Sequence, residues 1–187
     1  MKYPNSNKAY NEPKTSASNR GMSLEDDINT TNKNYLTNNL AVVYKKPTPI
    51  QIVKVDYPKR SAAKISEAYF KVPSTTDYNG IYKGKYIDFE AKECESKTSF
   101  PFSHIHPHQI KHLSNVLQHG AIAFIILRMT SYEKDYLIKA DDFISYYNVT
   151  TRKSLPITWI TKNGYPIESK YGKPCDYLNV VKKVFNL

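Results

Sequence analysis

The segment that most constrains this chain is residues 121–127, Ala-Ile-Ala-Phe-Ile-Ile-Leu, its longest uninterrupted apolar run. Seven residues are about a third of what a helical bilayer crossing requires, so the run cannot span a membrane that way. Without a polar position to turn toward water, it reads as a strand buried on both faces. Such a strand needs partners on each side, and the sequence around it supplies them. Ser23 followed by Asp26, with Leu24 and Ile28 four apart, predicts a helix over 23–36. β-branched runs at 40–44 and 50–55, divided by Pro47-Thr48-Pro49, predict two strands with a stiff connection. The pair Asn79-Gly80 suits a tight hairpin turn, with strands at 81–82 and 85–91. Ile110, Leu113 and Leu117 share a helical spacing over 107–117. Beyond the apolar run, 136–138 reads as a strand, 141–147 as a short helix, 155–160 as a strand or loop, and 176–185 as a closing helix with Leu178, Val181 and Phe185 on one side. No internal repeat or heptad interrupts this order.

Residues 1–20 contain no Val, Ile, Leu, Phe or Trp and cannot repay the entropy of ordering by burial, so they read as a flexible basic arm before a single domain over 21–187. The chain as a whole, 187 residues at 40% hydrophobic with 16 Tyr and 7 Phe, has material for a core. Its 27 Lys and Arg against 17 Asp and Glu leave a net charge of +10, which points to nucleic acid or an anionic membrane surface as a partner. The short apolar run weakens the membrane option. The polar start Met1-Lys2-Tyr3-Pro4-Asn5 lacks the apolar stretch of a secretory signal, which makes the cytoplasm the expected compartment. Cys94 and Cys175 stand far apart and outside any paired motif, so neither a disulfide framework nor a thiolate zinc site is indicated.

The positive charge is uneven. Between positions 45 and 71 the cations Lys45, Lys46, Lys54, Lys59, Arg60, Lys64 and Lys71 face only Asp56 and Glu67, a net of +5 and half of the chain's total. Tyr57 and Tyr69 lie in the same stretch, and cations interleaved with aromatics suit phosphate contacts plus base stacking. The opposite sign gathers a little further on. In the strand 85–92, Ile87, Phe89 and Ala91 alternate with Asp88, Glu90 and Lys92, so two carboxylates and an ammonium share one face. Asp77, thirteen residues before Glu90 and across a hairpin, is placed to return its carboxylate to that face. Three acids beside one lysine repel one another unless they are protonated or share a cation, and hard oxygen ligands suit Mg²⁺, with Mn²⁺ as a substitute. Hydrolysis of a phosphodiester is the chemistry this favours: a metal activates water and polarises the phosphoryl group, and a lysine stabilises the developing charge.

The Asp77…Glu90-Ala91-Lys92 spacing resembles the metal-dependent endonuclease motif. More specifically, Arg20-Gly21-Met22-Ser23-Leu24-Glu25, Lys46-Pro47-Thr48-Pro49, Tyr57-Pro58-Lys59, the segment 73–80 and Ile105-His106-Pro107-His108-Gln109 together resemble the RecU-type Holliday junction resolvases, over nearly the whole chain and fading in the first 18 residues and after about Asp135. That resemblance implies an α/β fold, with a mixed central sheet flanked by helices in a restriction-endonuclease-like core and a protruding β-rich stalk over about 45–71. It implies a homodimer that cuts four-way DNA junctions symmetrically in recombination and repair. Mg²⁺ would be held around Thr75, Asp77, Glu90 and Gln109, with Lys92 stabilising the transition state. Lys45, Lys46, Lys59, Arg60 and Lys64 would contact DNA from the stalk, and a second role would modulate the RecA recombinase. Glu25 falls where related nucleases place an auxiliary acid.

Asp88 reads either as an outer-shell acid or as a strand-end charge. All five histidines, His104, His106, His108, His112 and His119, fall within sixteen residues, and His108 with His112 has the spacing of a zinc-binding helix. The zincin glutamate is missing, so helix-start hydrogen bonding or DNA-backbone contact is the preferred reading. Two competitors differ in class: a non-catalytic branched-DNA-binding protein that modulates a recombinase, and a duplex-cutting restriction-type nuclease. The charge distribution yields one direct test. Neutralising Lys59 and Arg60 together weakens binding to a synthetic four-way junction and flattens its salt dependence, the slope of log affinity against log salt falling by about one per lost phosphate contact; an unchanged salt slope would remove these residues from the phosphate interface.

Overall fold

The structure is a computed structural model and describes residues 23–71 and 75–187, so the basic arm lies outside the described residues, as do Arg20-Gly21-Met22 of the first motif, positions 73 and 74 of the 73–80 motif and the side chain of Arg60. In chain order the elements are α1 (Leu24–Thr37), β1 (Val42–Lys45), β2 (Ile50–Asp56), β3 (Lys64–Phe70), β4 (Tyr78–Tyr82), β5 (Lys85–Cys94), β6 (Ser99–Pro101), α2 (Pro107–Gln118), β7 (Ile122–Met129), β8 (Lys134–Lys139), α3 (Ala140–Val149), β9 (Ser154–Pro156), α4 (Ile157–Asn163), β10 (Tyr165–Ile167) and α5 (Tyr177–Val184). Six strands form one sheet in the order β1-β4-β5-β7-β8-β10. Among the described residues only β5 and β7 pair in parallel, and α2 lies on the crossover between them. The α/β class with a mixed sheet is therefore what the chain adopts.

The apolar run sits where its composition requires. Ile122, Phe124 and Ile126 of β7 enter one core with Ile87 and Phe89 of β5, Leu24, Ile28 and Tyr35 of α1, and Tyr177, Leu178 and Val181 of α5. Ala123, Ile125, Leu127 and Met129 enter a second core with Ile110 and Leu113 of α2, Phe143 of α3, and Leu155 and Ile160. Alternate residues of one strand thus seed both cores. Phe89 links its side together, stacking between Tyr78 at 4.9 Å and Phe124 at 4.7 Å. The two cysteines are buried thiols, Cys175 in the first core and Cys94 in the second. Among the described residues no helix is long and apolar enough to cross a membrane.

β7 ends in a cation. Arg128 reaches Asp27 of α1 and Asp135 of β8, each at 2.7 Å, and approaches Glu93 of β5 at 3.8 Å. Glu93 in turn accepts the backbone N–H of Leu24 at 2.6 Å, which fixes the start of α1 over the sheet. Ser23 caps that helix by accepting from the N–H of Asp26.

Three sequence expectations are corrected. Asn79-Gly80 is not the turn: both residues lie inside β4, and the reversal into β5 is made by Lys83 and Gly84, whose φ values of 48° and 75° give the doubly left-handed backbone of a two-residue hairpin. Gly80 has a different task. A Cβ there would lie 2.1 Å from the carbonyl oxygen of Val42 and 2.6 Å from Cα of Val43, so the close packing of β1 on β4 needs a bare backbone. Second, 155–160 divides between a three-residue strand and helix α4. Third, the basic projection is shorter than 45–71. It is the β2–β3 hairpin, a separate two-stranded sheet exposed along both strands, whereas Lys45 closes β1 in the main sheet and Lys46 follows it.

Gly80→Ala is expected to destabilise the fold by about 1–3 kcal/mol, the usual cost of forcing atoms into a packed interface. Urea unfolding followed by circular dichroism measures it; a midpoint unchanged from the parent would show that β1 can shift without loss.

Candidate active site

β5 has one face in the first core, and its other face carries Asp88, Glu90 and Lys92. Because β4 and β7 flank it, that polar face is not at an edge, and the side chains of both Asp88 and Glu90 are fully buried. Burying a carboxylate without compensation is costly, so each needs a partner. The two are satisfied differently.

Glu90 has Lys92 two residues along the same face, its ammonium in ion contact with Oε1. Neither buried oxygen of Glu90 has a well-aligned hydrogen-bond donor. Asp77 stands just before β4, one position beyond the Tyr78–Phe89 pair, and brings its carboxylate to 3.7 Å from the same ammonium. Burial, aided by the neighbouring Asp77 carboxylate and opposed by Lys92, pushes the Glu90 carboxyl up to about 8. For Lys92, burial disfavours the ammonium, but the two carboxylates outweigh it and hold its pKa above the ordinary value. The group opens into a cleft of about 350 Å³ lined by Ser23, Glu25, Asp77, Tyr78, Lys92 and Glu93, among others.

Asp88 does not join this group, although it shares the face; this corrects the expectation of three converging acids. Its carboxylate is held by Lys46 at 2.8 Å, Tyr86 at 2.8 Å, His112 at 3.1 Å and a short hydrogen bond from Thr76. Among the described residues no cluster of three or more Asp, Glu, His or Cys side chains forms a ready metal cage. Asp77 and Lys92 line the cleft together with Glu25 and Glu93, and the buried Glu90 meets it through the ammonium of Lys92.

The other site candidates fall at varied distances from this pair. Thr75 is half-buried beside it in sequence, its hydroxyl donating to the Thr76 carbonyl at 3.3 Å. Gln109 is buried at the start of α2, where its Oε1 accepts the backbone N–H of His106 at 2.9 Å and so helps to cap that helix. Glu25 lines the cleft and pairs with Lys45. Lys46 points inward to Asp88 and Thr76. Lys59 and Lys64 are exposed on the hairpin, and Arg60 begins the short 3-10 turn near its tip. His108 and His112 do not act as a metal pair: His108 stacks on His106 with centroids 5.4 Å apart, while His112 is engaged with Asp88. Sequence reasoning missed the clasp around Asp88. Its signal was present in Lys46, a cation followed by Pro47-Thr48-Pro49 and hence unable to continue into the projecting strand.

The donor set fits a hard divalent cation. Glu90 offers two buried oxygens with no partner among the described residues beyond the Lys92 ion contact, Asp77 adds a partly exposed carboxylate, and the cleft leaves room for water or a phosphate oxygen. A folded-state pKa near 8, against the ordinary 4.5, means that the folded protein holds a proton at Glu90 that the unfolded chain has released. Stability of the metal-free protein therefore falls as pH rises from about 5 to 8. Glu90→Gln is expected to lose less over that range, by roughly 5 °C in melting temperature. Mg²⁺ at pH 8 is expected to raise the melting temperature of the parent and leave the variant unmoved. Parallel pH profiles for the two proteins would contradict the buried, cation-ready carboxylate.

Comparison with known proteins places the chain in a family. The model of the family described as recombination protein U, RecU, matches residues 19–183. Curated proteins named Holliday junction resolvase RecU from Bacillus thuringiensis (strain Al Hakam), Bacillus cereus (strain AH820) and Bacillus anthracis are each 50% identical, with 99% of this chain and 98% of theirs aligned. Among solved structures, the Holliday junction resolvase Hjc of Archaeoglobus fulgidus aligns with 76% of this chain and 92% of its own, at 12% identity and a TM-score of 0.44. Matched from before its first helix into its last, and half identical to curated members end to end, the chain belongs to the RecU family.

Proposed function

We propose that this protein is a Holliday junction resolvase: a Mg²⁺-dependent, structure-selective endonuclease that cuts four-way DNA junctions at symmetric positions. The observation that carries the reading is the fully buried Glu90, whose one charged partner among the described residues is the Lys92 ammonium that Asp77 also approaches, with Asp77 and Lys92 lining an open cleft. Family membership supplies the substrate. A structural role for Glu90 fits less well, since a buried carboxylate kept only for stability would be given several donors, as Asp88 is, and not one ammonium.

In this reading Asp77 and Glu90 hold the cation, with Thr75 and Gln109 as neutral oxygen donors near it. The cation, when bound, polarises the scissile phosphate and lowers the pKa of an attacking water. Lys92 keeps its proton, held by both carboxylates, and meets the negative charge that grows on the phosphoryl oxygens. The half-exposed Lys45–Glu25 pair lies beside the cleft, where Lys45 can exchange its carboxylate for a DNA phosphate. The exposed hairpin, with Lys54, Lys59, Lys64 and Lys71 and the aromatic rings of Tyr57, Tyr69 and Phe70, is the stalk that engages the branch point. Paired incisions need two active sites at a fixed separation, and each chain has one such cleft, so the working unit is a homodimer. An enzyme acting on chromosomal DNA in recombination and repair works in the cytoplasm.

Single-turnover assays on a synthetic four-way junction test the proposal. Incision in Mg²⁺ at symmetric positions is expected, with linear duplex spared. Asp77→Ala and Glu90→Ala are expected to lower the rate by a factor of about 10³ or more while junction affinity holds, because removing acid from a polyanion-binding surface does not weaken binding. Tight junction binding without incision in either Mg²⁺ or Mn²⁺ would favour the non-catalytic reading.

A further inference from the structure

Lys46 stands between the two functional parts of the molecule. Its backbone N–H donates to the carbonyl of Asp77 at 2.7 Å. Its ammonium donates to Thr76 Oγ1 at 2.9 Å and to Asp88 Oδ2 at 2.8 Å, and lies 3.5 Å from His112 Nε2. Its side chain is only 17% exposed, and Asp88 is fully buried. Thr76 closes the loop with its own short hydrogen bond to Asp88. One residue therefore ties down both the main chain at Asp77 and the side chain just before it, and it ties them to the strand that carries Glu90. Asp88 is also engaged by Tyr86 and His112, and an ammonium so engaged with it is a poor phosphate contact.

We infer that Lys46 and Asp88 form a positioning pair that fixes Asp77 opposite Glu90, and that Lys46 is not a DNA contact. The inference rests on the proposed role of Asp77 and Glu90. It follows from geometry: Asp77 precedes β4 and has no ladder partner of its own, so its main chain is fixed by the Lys46 N–H, and its carboxylate has only the 3.7 Å contact with Lys92 to hold it in place. The clasp also lies at the root of the hairpin, since Pro47-Thr48-Pro49 is all that separates Lys46 from the first residue of β2.

The test uses the full chain with Lys46→Met, Lys46→Arg, Asp88→Asn and the Lys46→Met/Asp88→Asn double variant. Lys46→Met is expected to leave the affinity and salt slope of junction binding in EDTA unchanged. It should raise the Mg²⁺ concentration for half-maximal cleavage by about tenfold or more, as loss of a group that orients a metal ligand does. Lys46→Arg should recover part of this. The double variant should do no worse than Lys46→Met, because the buried carboxylate left unpaired by the single change is then neutral. Hydrogen exchange supplies a readout independent of activity: the Lys46 amide and the peptide over 75–78 should exchange faster in Lys46→Met, with β7 still protected. A salt slope lowered by one phosphate's worth, with the Mg²⁺ dependence intact, would make Lys46 a DNA contact and overturn the inference. Unchanged exchange at 75–78 would overturn it as well. Should the parent protein bind junctions and cut none, the resolvase reading fails, and the salt slope and the exchange data still decide the role of Lys46.

Discussion

The parallel pairing of β5 with β7 is the constraint on which the rest of this molecule depends. It takes a strand with acids on one face and places it inside the sheet, between β4 and β7, where those acids cannot reach bulk water. A carboxylate in that position must be neutralised by protonation, by a cationic side chain or by a bound cation. The chain gives Asp88 the ammonium of Lys46 together with hydrogen bonds from Thr76 and Tyr86, and leaves Glu90 with Lys92 alone, two residues away on the same face. One strand so carries a closed ionic knot beside an open one, and only the open one faces a cleft.

What holds the strand there is distributed over both sides of the sheet. Phe89 and Ile87 root β5 in the core beneath α1 and α5, and Arg128 fastens α1 to β7 and β8 through Asp27 and Asp135. The same brace seats Ser23 and Glu25 at the cleft, because Glu93, beside Arg128, accepts the first N–H of α1. The geometry of the candidate site is thus carried mostly by packed elements, with Asp77 standing just before a strand and fixed through Lys46.

Much of this was legible in the sequence. The unbroken apolar run at 121–127 gave the buried strand, alternation in 85–92 gave its polar neighbour, and the Ser23–Asp26 spacing gave the capped helix. What stayed hidden depended on register and on contacts between distant segments. Asn79-Gly80 has the chemistry of a turn, yet the glycine is needed where β1 crowds β4, and Lys83-Gly84 serves as the turn instead. Asp88 and Glu90 are equivalent by alternation; only the arrival of Lys46 and His112 from other elements separates their roles. Likewise a count of charges assigns Lys45 and Lys46 to the basic projection, although the sheet ends and the hairpin begins four residues further on.

The hairpin has one further consequence. Ile52, Val53, Val55 and Ile65 are all exposed, and Phe70 is 83% exposed, in a two-stranded sheet of the kind that is marginal on its own. A surface that only gripped phosphates would have no reason to hold so much hydrocarbon in water. Covering it with unstacked bases would give binding a negative heat-capacity change alongside its salt dependence. In the proposed reading, affinity for a branch point then has a thermal signature distinct from affinity for ordinary duplex, where the bases stay stacked and the hydrocarbon stays wet.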